Sequence, residues 1–179
     1  MTLRAFNSLV PQLKRDVYID PAALVIGQIT LGDDVSIWPM SVVRGDVNYI
    51  KIGEQTNIQD GCILHVTHAG PYSPEGGALV IGKRVTVGHG VILHACNIGD
   101  AVLIGMGSRI LDNAVIEPYS MLGAGSLLPP GKTIPSGELW IGSPAVKHRD
   151  LTLKEKEFLD YSAGHYVKLK NRYLTELSL

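Results

Sequence analysis

The aliphatic residues of this chain fall on a six-residue step. Ile98, Ile104, Ile110, Ile116, Leu122, Leu128 and Ile134 follow one another without a break. Ile81, Val87 and Leu93 keep the same step, with one residue deleted before Ile98. Ile52, Ile58 and Leu64 repeat it upstream, as do Leu31, Ile37 and Val43, and Ile26 precedes Leu31 by five. Glycine often follows the aliphatic residue, as in Ile52-Gly53, Ile98-Gly99 and Leu122-Gly123. A helix would repeat every three or four positions and a simple strand every two. A step of six instead fits a short strand followed by a turn, with one large side chain pointing inward per side. Three such sides close a triangular coil, and coils stack about 4.8 Å apart through parallel ladder hydrogen bonds. The chain's 20 glycines and only 6% aromatics suit tight turns and a narrow core.

The repeat is interrupted twice. Three residues are added between Val43 and Ile52, around Asp46-Val47-Asn48. The gap from Leu64 to Ile81 is 17 residues and holds Pro71, Pro74, Gly76 and Gly77, which predicts a loop excursion from one corner. The repeat ends after Ile141-Gly142-Ser143-Pro144. Thr152 and Glu155 then form a capping-box signature, and the chain reads as helix to Leu177, with Leu159, Tyr166, Leu169, Tyr173 and Leu177 as an apolar stripe that Gly164 would break. The stripe predicts packing along the prism or on a neighbour. The pattern resembles the hexapeptide-repeat proteins, and the resemblance supplies the hand: a left-handed parallel β-helix over about residues 17–146, mainly β, with a C-terminal α-helix over about 152–177, all in one domain. The flat sides of a short triangular prism predict a homotrimer.

Six histidines are present: His65, His68, His89, His94, His148 and His165. His65 follows the inward Leu64, and His94 follows the inward Leu93. If the excursion returns to the first side at Ile81, Leu64 and Leu93 occupy the third side of adjacent coils. Two outward imidazoles then lie one coil apart, a separation that suits a shared metal ion with bonds of about 2.0–2.1 Å. His89 lies around a corner from His94. It would join the pair only from a neighbouring copy, so the register predicts a site between subunits. Three histidines and a water are the pattern of a catalytic metal rather than a structural one. An outward histidine is otherwise most often a solvated residue, and two in register are less ordinary.

The motifs Val43-Arg44-Gly45-Asp46, Asn57-Ile58-Gln59-Asp60-Gly61, Leu64-His65, Gly88-His89 and Leu93-His94 make the chain similar to the γ-class carbonic anhydrases, closest to a bacterial branch with short loops. The likeness runs from about Val17 to the C-terminal helix. It implies that His65, His89 and His94 hold zinc, or alternatively Fe2+ or Co2+, with His89 supplied by the neighbour. It also implies reversible hydration of carbon dioxide to bicarbonate by metal-bound hydroxide. By the same resemblance Gln59 orients water, Asn57 lies beside the substrate, and Arg44, Asp46 and Asp60 form an ion-pair network between subunits. Tyr161 would match a tyrosine over the site. The acidic loop residues of the archetype are replaced by Val47 and His68, and an imidazole at His68 would carry protons instead. Three other readings share the fold. Gly142-Ser143-Pro144-Ala145 resembles the end-of-prism turn of hexapeptide acyltransferases, which use one histidine as base. A metal-dependent thioesterase and an inactive trimeric scaffold complete the set.

Composition narrows these choices little but excludes others. A formal net charge of −1 with no basic run offers nothing to nucleic acid or an anionic membrane. No apolar stretch reaches the roughly 20 residues of a membrane span. With no signal-peptide core, the expectation is a cytoplasmic protein. Cys62 and Cys96 read as small buried apolar side chains rather than a disulfide framework.

Overall fold

The computed structural model describes residues 2–176 and forms a three-sided parallel β-solenoid closed along one face by a helix. The inward residues stack in three ladders. Leu31, Ile52, Ile81, Ile98, Ile116 and Ile134 pair in register along the first side. Ile19, Ile37, Ile58, Val87, Ile104, Leu122 and Trp140 do so along the second. Val25, Val43, Leu64, Leu93, Ile110 and Leu128 do so along the third. All but Ile19 are buried, and together they form one continuous core cluster.

The six-residue step thus reads the fold correctly, with one correction. Val25, six residues before Leu31, is the inward residue, whereas Ile26 is half-buried and pairs with Arg44 on the outer row. Side chains alternate along a strand, so counting from Ile26 puts the wrong neighbour inside. The repeat therefore extends back without a break through Ile19, Val25 and Leu31. The three added residues appear as a bulge: Gly27 pairs with Gly45, yet Ile29 pairs with Ile50. That bulge carries Asp46 off the ladder. The deletion before Ile98 is absorbed at Ala95, buried and with φ 44°, which turns the corner directly after His94.

The chain also builds beyond the repeat. Strands Leu3–Arg4 and Gln12–Leu13 both pair in parallel with Leu24–Leu31, so the segment before Val17 adds to the sheet. At the other end, Glu138–Gly142 pairs antiparallel with Ala145–Asp150. The excursion after Leu64 is pinned at its neck, where Thr67 and Gly77 exchange backbone hydrogen bonds of 2.9 Å.

The C-terminal helix runs unbroken from Leu153 to Glu176, so Gly164 does not divide it. An isolated interior glycine costs a helix only about 1 kcal/mol, which the docking offsets. The capping box is formed: the Thr152 backbone N–H donates to Glu155 Oε2 at 2.9 Å, and the Glu155 N–H donates to Thr152 Oγ1 at 3.3 Å. The helix lies on its own prism. Leu159 packs with Leu103, Met121 and Leu139. Tyr166 and Tyr173 meet Trp38 edge-on at 5.7 and 5.1 Å between centroids. The docked face also includes Ser162, Ala163 and Lys170, which the apolar stripe does not contain. Lys170 is wholly buried and its ammonium pairs with Asp34 at 2.8 Å. Leu177, the last residue of the predicted stripe, lies outside the described residues. No helix among the described residues is long and apolar enough to cross a membrane.

Candidate metal centre

His65 and His94 stand opposite each other on adjacent strands of the third side, in direct register. Their rings are 5.2 Å apart, and His65 Nδ1 faces His94 Nε2 at 3.2 Å. Each ring's other nitrogen reaches a carboxylate. His65 Nε2 lies 3.0 Å from Asp46 Oδ1, and His94 Nδ1 lies 2.7 Å from Asp112 Oδ1. Asp46 and Asp112 thereby flank the pair from the coils on either side. Burial pushes His65 below the ordinary imidazole value. The positive charge of Arg44 adds to this and the hydrogen bond to Asp46 opposes it. Burial works to raise the Asp46 carboxyl, but hydrogen bonds from Arg44 and His65 outweigh it and hold the group below the usual carboxylate range.

These contacts fix the tautomers. A carboxylate only accepts, so His65 donates from Nε2 and His94 from Nδ1. With neutral rings, the two nitrogens that face each other at 3.2 Å are then both lone pairs. Two acceptors so placed repel each other unless a proton or a metal ion lies between them. The separation spans two bonds of about 2.0–2.1 Å at a near-tetrahedral angle. The donor set therefore fits a divalent ion, and the carboxylate behind each imidazole is the arrangement that orients metal-bound histidines.

His89 is not brought to the pair. It sits around the corner, half-exposed, with Nδ1 2.9 Å from Asp60 Oδ2. Its ring too has a carboxylate on one nitrogen and leaves Nε2 without one. Among the described residues no cluster of three or more His, Cys, Asp or Glu side chains that could hold a metal is present. One chain presents two donors and, separately, a third.

Gln59 and Asn57 are buried side by side on the second side. Asn57 Nδ2 donates to the Val85 carbonyl at 3.3 Å and to Thr86 Oγ1 at 3.1 Å, so Asn57 Oδ1 must accept from Gln59 Nε2, at 3.2 Å. The Gln59 amide is thereby oriented, and none of these bonds uses its oxygen. Thr86 Oγ1 meets Ser162 Oγ of the helix at 3.0 Å, so helix docking and Gln59 orientation belong to one network. A largely apolar groove of about 450 Å3 opens beside Gln59 and His89, walled by Leu103, Met106, Met121 and Phe158.

Of the remaining expected residues, Arg44 lies beside the pair through Asp46, and Tyr161 and His68 do not touch it. Arg44 pairs with Asp46 at 2.5 Å and not with Asp60. Tyr161 is 67% exposed and stacks on His165 at 6.4 Å, away from the histidine pair. His68 is exposed on the excursion and makes no hydrogen bond to the pair. Cys62 and Cys96 are buried and free, and burial pushes the Cys62 thiol up to about 12. Sequence reasoning missed Asp112 and Thr67, whose hydroxyl donates to Asp112 Oδ2. The register held part of the signal: Leu93 pairs with Ile110, so one coil beyond His94 is Leu111, and Asp112 is the next residue.

The chain is similar to several known proteins. The family model for the bacterial transferase hexapeptide (six repeats) matches residues 95–130. The chain is 53% identical to Protein YrdA of Escherichia coli, over 97% of this chain and 95% of that one. It is 41% identical to Gamma carbonic anhydrase 2, mitochondrial, of Arabidopsis thaliana, over 94% of this chain and 60% of that protein. A protein of Methanocaldococcus jannaschii named "Probable carbonic anhydrase" is 38% identical, over 88% of this chain and 94% of its own. Among solved structures, a hexapeptide transferase family protein from Anaplasma phagocytophilum superposes with a TM-score of 0.90 at 43% identity, over 96% of this chain and 98% of that one.

Proposed function

The chain belongs to the γ-class carbonic anhydrase family of hexapeptide-repeat proteins, and from that premise we propose that it hydrates carbon dioxide reversibly at a divalent metal site shared between the subunits of a homotrimer. The observation that supports the metal is the pair of facing lone pairs on His65 Nδ1 and His94 Nε2, each ring held from behind by a carboxylate. His65 and His94 of one subunit and His89 of the partner subunit would hold the ion. Zinc suits three imidazoles, and Fe2+ or Co2+ would take the same donors. When bound, the ion supplies the Lewis acidity that makes water a nucleophile near neutral pH.

The chain's own residues do the positioning. Asp46, Asp112 and Asp60 each accept from one nitrogen of a ligand imidazole and fix its orientation. Gln59, oriented by Asn57, has its amide oxygen free to accept from the water and set its approach to the carbon of the substrate. Arg44 and Asp60 would pair across subunits, which would tie assembly of the trimer to completion of the site. Within one chain neither His68 nor Tyr161 reaches the pair, so a role for either, as for His89, would have to be filled across subunits.

The test is to purify the protein anaerobically, measure metal per chain, and follow carbon dioxide hydration by stopped flow with a pH indicator. Stoichiometric metal, with metal and hydration lost in His65→Ala and His94→Ala, is expected. Stoichiometric metal retained in both variants would overturn the site. One observation favours a second substrate class at the same residues: carbon dioxide does not need a groove of about 450 Å3, whereas the chain of an acyl thioester would fill it. Full metal without hydration, together with release of free thiol from acyl-CoA, would decide for that reading over hydration and over a scaffold.

A further inference from the structure

We propose that Asp112 is the positioning residue for His94, and that Thr67 links it to the excursion so that the two histidines of one chain are set as a unit; this rests on the metal reading given above. Asp112 Oδ1 lies 2.7 Å from His94 Nδ1, and the Thr67 hydroxyl donates to Asp112 Oδ2. The carboxylate is therefore held from both oxygens. It cannot rotate without losing one of the two bonds, and His94 cannot change tautomer or swing its ring without losing the other. His94 Nε2 is thus kept as the lone pair that faces His65 Nδ1.

Thr67 is itself a fixed anchor. Its N–H and carbonyl both bond to Gly77 at 2.9 Å, and Asn48 Nδ2 donates to the same carbonyl at 3.2 Å. Asn48 belongs to the bulge that also carries Asp46, the residue behind His65. The neck closes tightly because a side chain at Gly76 would meet the Thr67 carbonyl at 2.7 Å. The 17-residue gap in the repeat is therefore more than an insertion on the surface. Its first residues lock the outer carboxylate of an Asp46–His65–His94–Asp112 row that spans four coils. His65 is placed by the ladder and the bulge, and His94 by the ladder, Asp112 and the excursion.

The experiment compares the unaltered full-length protein with Asp112→Ala, Asp112→Asn, Thr67→Val and Thr67→Ser, each stripped of metal. Each is titrated with Co2+ against a chelator of known affinity, the visible spectrum of the cobalt form is recorded, and thermal melting confirms the fold. Loss of an outer partner of a ligand histidine typically weakens metal binding 10–100-fold, and Asp112→Ala should do so with a shift of the cobalt bands. Asp112→Asn should fall between, because an amide accepts the hydrogen bond without the charge. Thr67→Val should weaken binding several-fold and Thr67→Ser should restore it. A folded Asp112→Ala protein with the affinity and spectrum of the unaltered one overturns the proposal. If Asp112→Ala does not fold, the Thr67 pair decides: a difference between Val and Ser supports the link, and none overturns it. Failure of the unaltered protein to take up cobalt would instead overturn the metal reading itself, and this proposal with it.

Discussion

Replacing Asp34 by asparagine should undock the C-terminal helix. The Lys170 ammonium is 0% exposed and lies 2.8 Å from Asp34 Oδ1, with Asn171 Oδ1 at 2.5 Å as its other hydrogen-bond partner among the described residues. At an effective dielectric of about 20, two charges at that distance attract by roughly 6 kcal/mol before desolvation is counted. Removing one partner of a buried pair typically costs about 3–5 kcal/mol, because the other charge is left without compensation. Asp34 keeps 29% of its side chain in solvent, so water can enter, and the lower end, about 3 kcal/mol, applies. Asparagine suits the test because position 34 has φ 59°, a conformation that Asn tolerates as well as Asp. The loss should appear locally as opening of the helix. About 3 kcal/mol is roughly a hundredfold in population, so amide exchange over residues 153–176 should quicken by that factor while the prism core is unchanged. Lys170→Met should cost far less, since it removes the buried charge and leaves Asp34 able to hydrate. Because Ser162 joins the helix to Thr86, Asn57 and Gln59, the asparagine variant should also disorder Gln59. Exchange within threefold of the unaltered protein, or a Lys170→Met variant worse than Asp34→Asn, would refute the argument.

Three further outcomes can be checked directly. Ile110→Ala, in the third-side ladder, should destabilise by about 2–5 kcal/mol in urea unfolding, while the adjacent outward Arg109→Ala should stay within about 0.5 kcal/mol. The cap at the helix start should fail in acid: Arg149, then the Thr152 backbone and hydroxyl, lower Glu155 to about 2, so its contribution is complete above its ordinary 4.5 and is lost as pH falls towards 2. Circular dichroism of Thr152→Ala should show about 1 kcal/mol lost at neutral pH, with a smaller acid-dependent change than in the unaltered protein. Cys62 and Cys96 should resist a thiol reagent at pH 8 until the protein unfolds, since both are buried and neither forms a thiolate there; fast labelling of the native protein would contradict the packing.

How much of this was legible depended on what each feature rests on. The ladders follow from a strict step of six, because every inward residue must repeat for the coil to close, and seven successive aliphatics leave no alternative register. The placement of His65 beside His94 came from the same count. The step from Leu93 to Ile98, five instead of six, was visible as a deletion, but that the corner at Ala95 absorbs it was seen only in the structure. Where one strand could be counted two ways the reading failed: Val25 and Ile26 are both β-branched aliphatics, and only the alternation observed in the strand shows which of them faces inward. The hand of the coil came from resemblance, as the period has no chirality. The polar part of the helix face escaped because Ser162 and Lys170 are buried by partners distant in sequence, Thr86 and Asp34, which no local periodicity contains.

The histidines show why a site of this kind is only half visible in one chain. A solenoid ladder brings together residues one coil apart, so it can pair His65 with His94 and set Asp46 and Asp112 behind them. It cannot bring His89 around a corner, because the strands on two sides diverge there and the intervening Gly90, with φ 68°, turns the chain away. In the proposed trimer, a third imidazole facing the pair would come from another copy. Such a site need not be stable in the monomer, and the pair by itself is poorly satisfied, with two lone pairs facing at 3.2 Å. The partner's His89 would add a third lone pair, which only the ion could bridge, so metal affinity and trimer stability should be linked. Each should rise with the other, and dilution into a chelator should dissociate the trimer faster than dilution alone. Sedimentation at matched concentrations with and without chelator measures this. A trimer indifferent to the chelator, in protein shown to lose its metal there, would mean that His89 of the partner subunit is not a ligand.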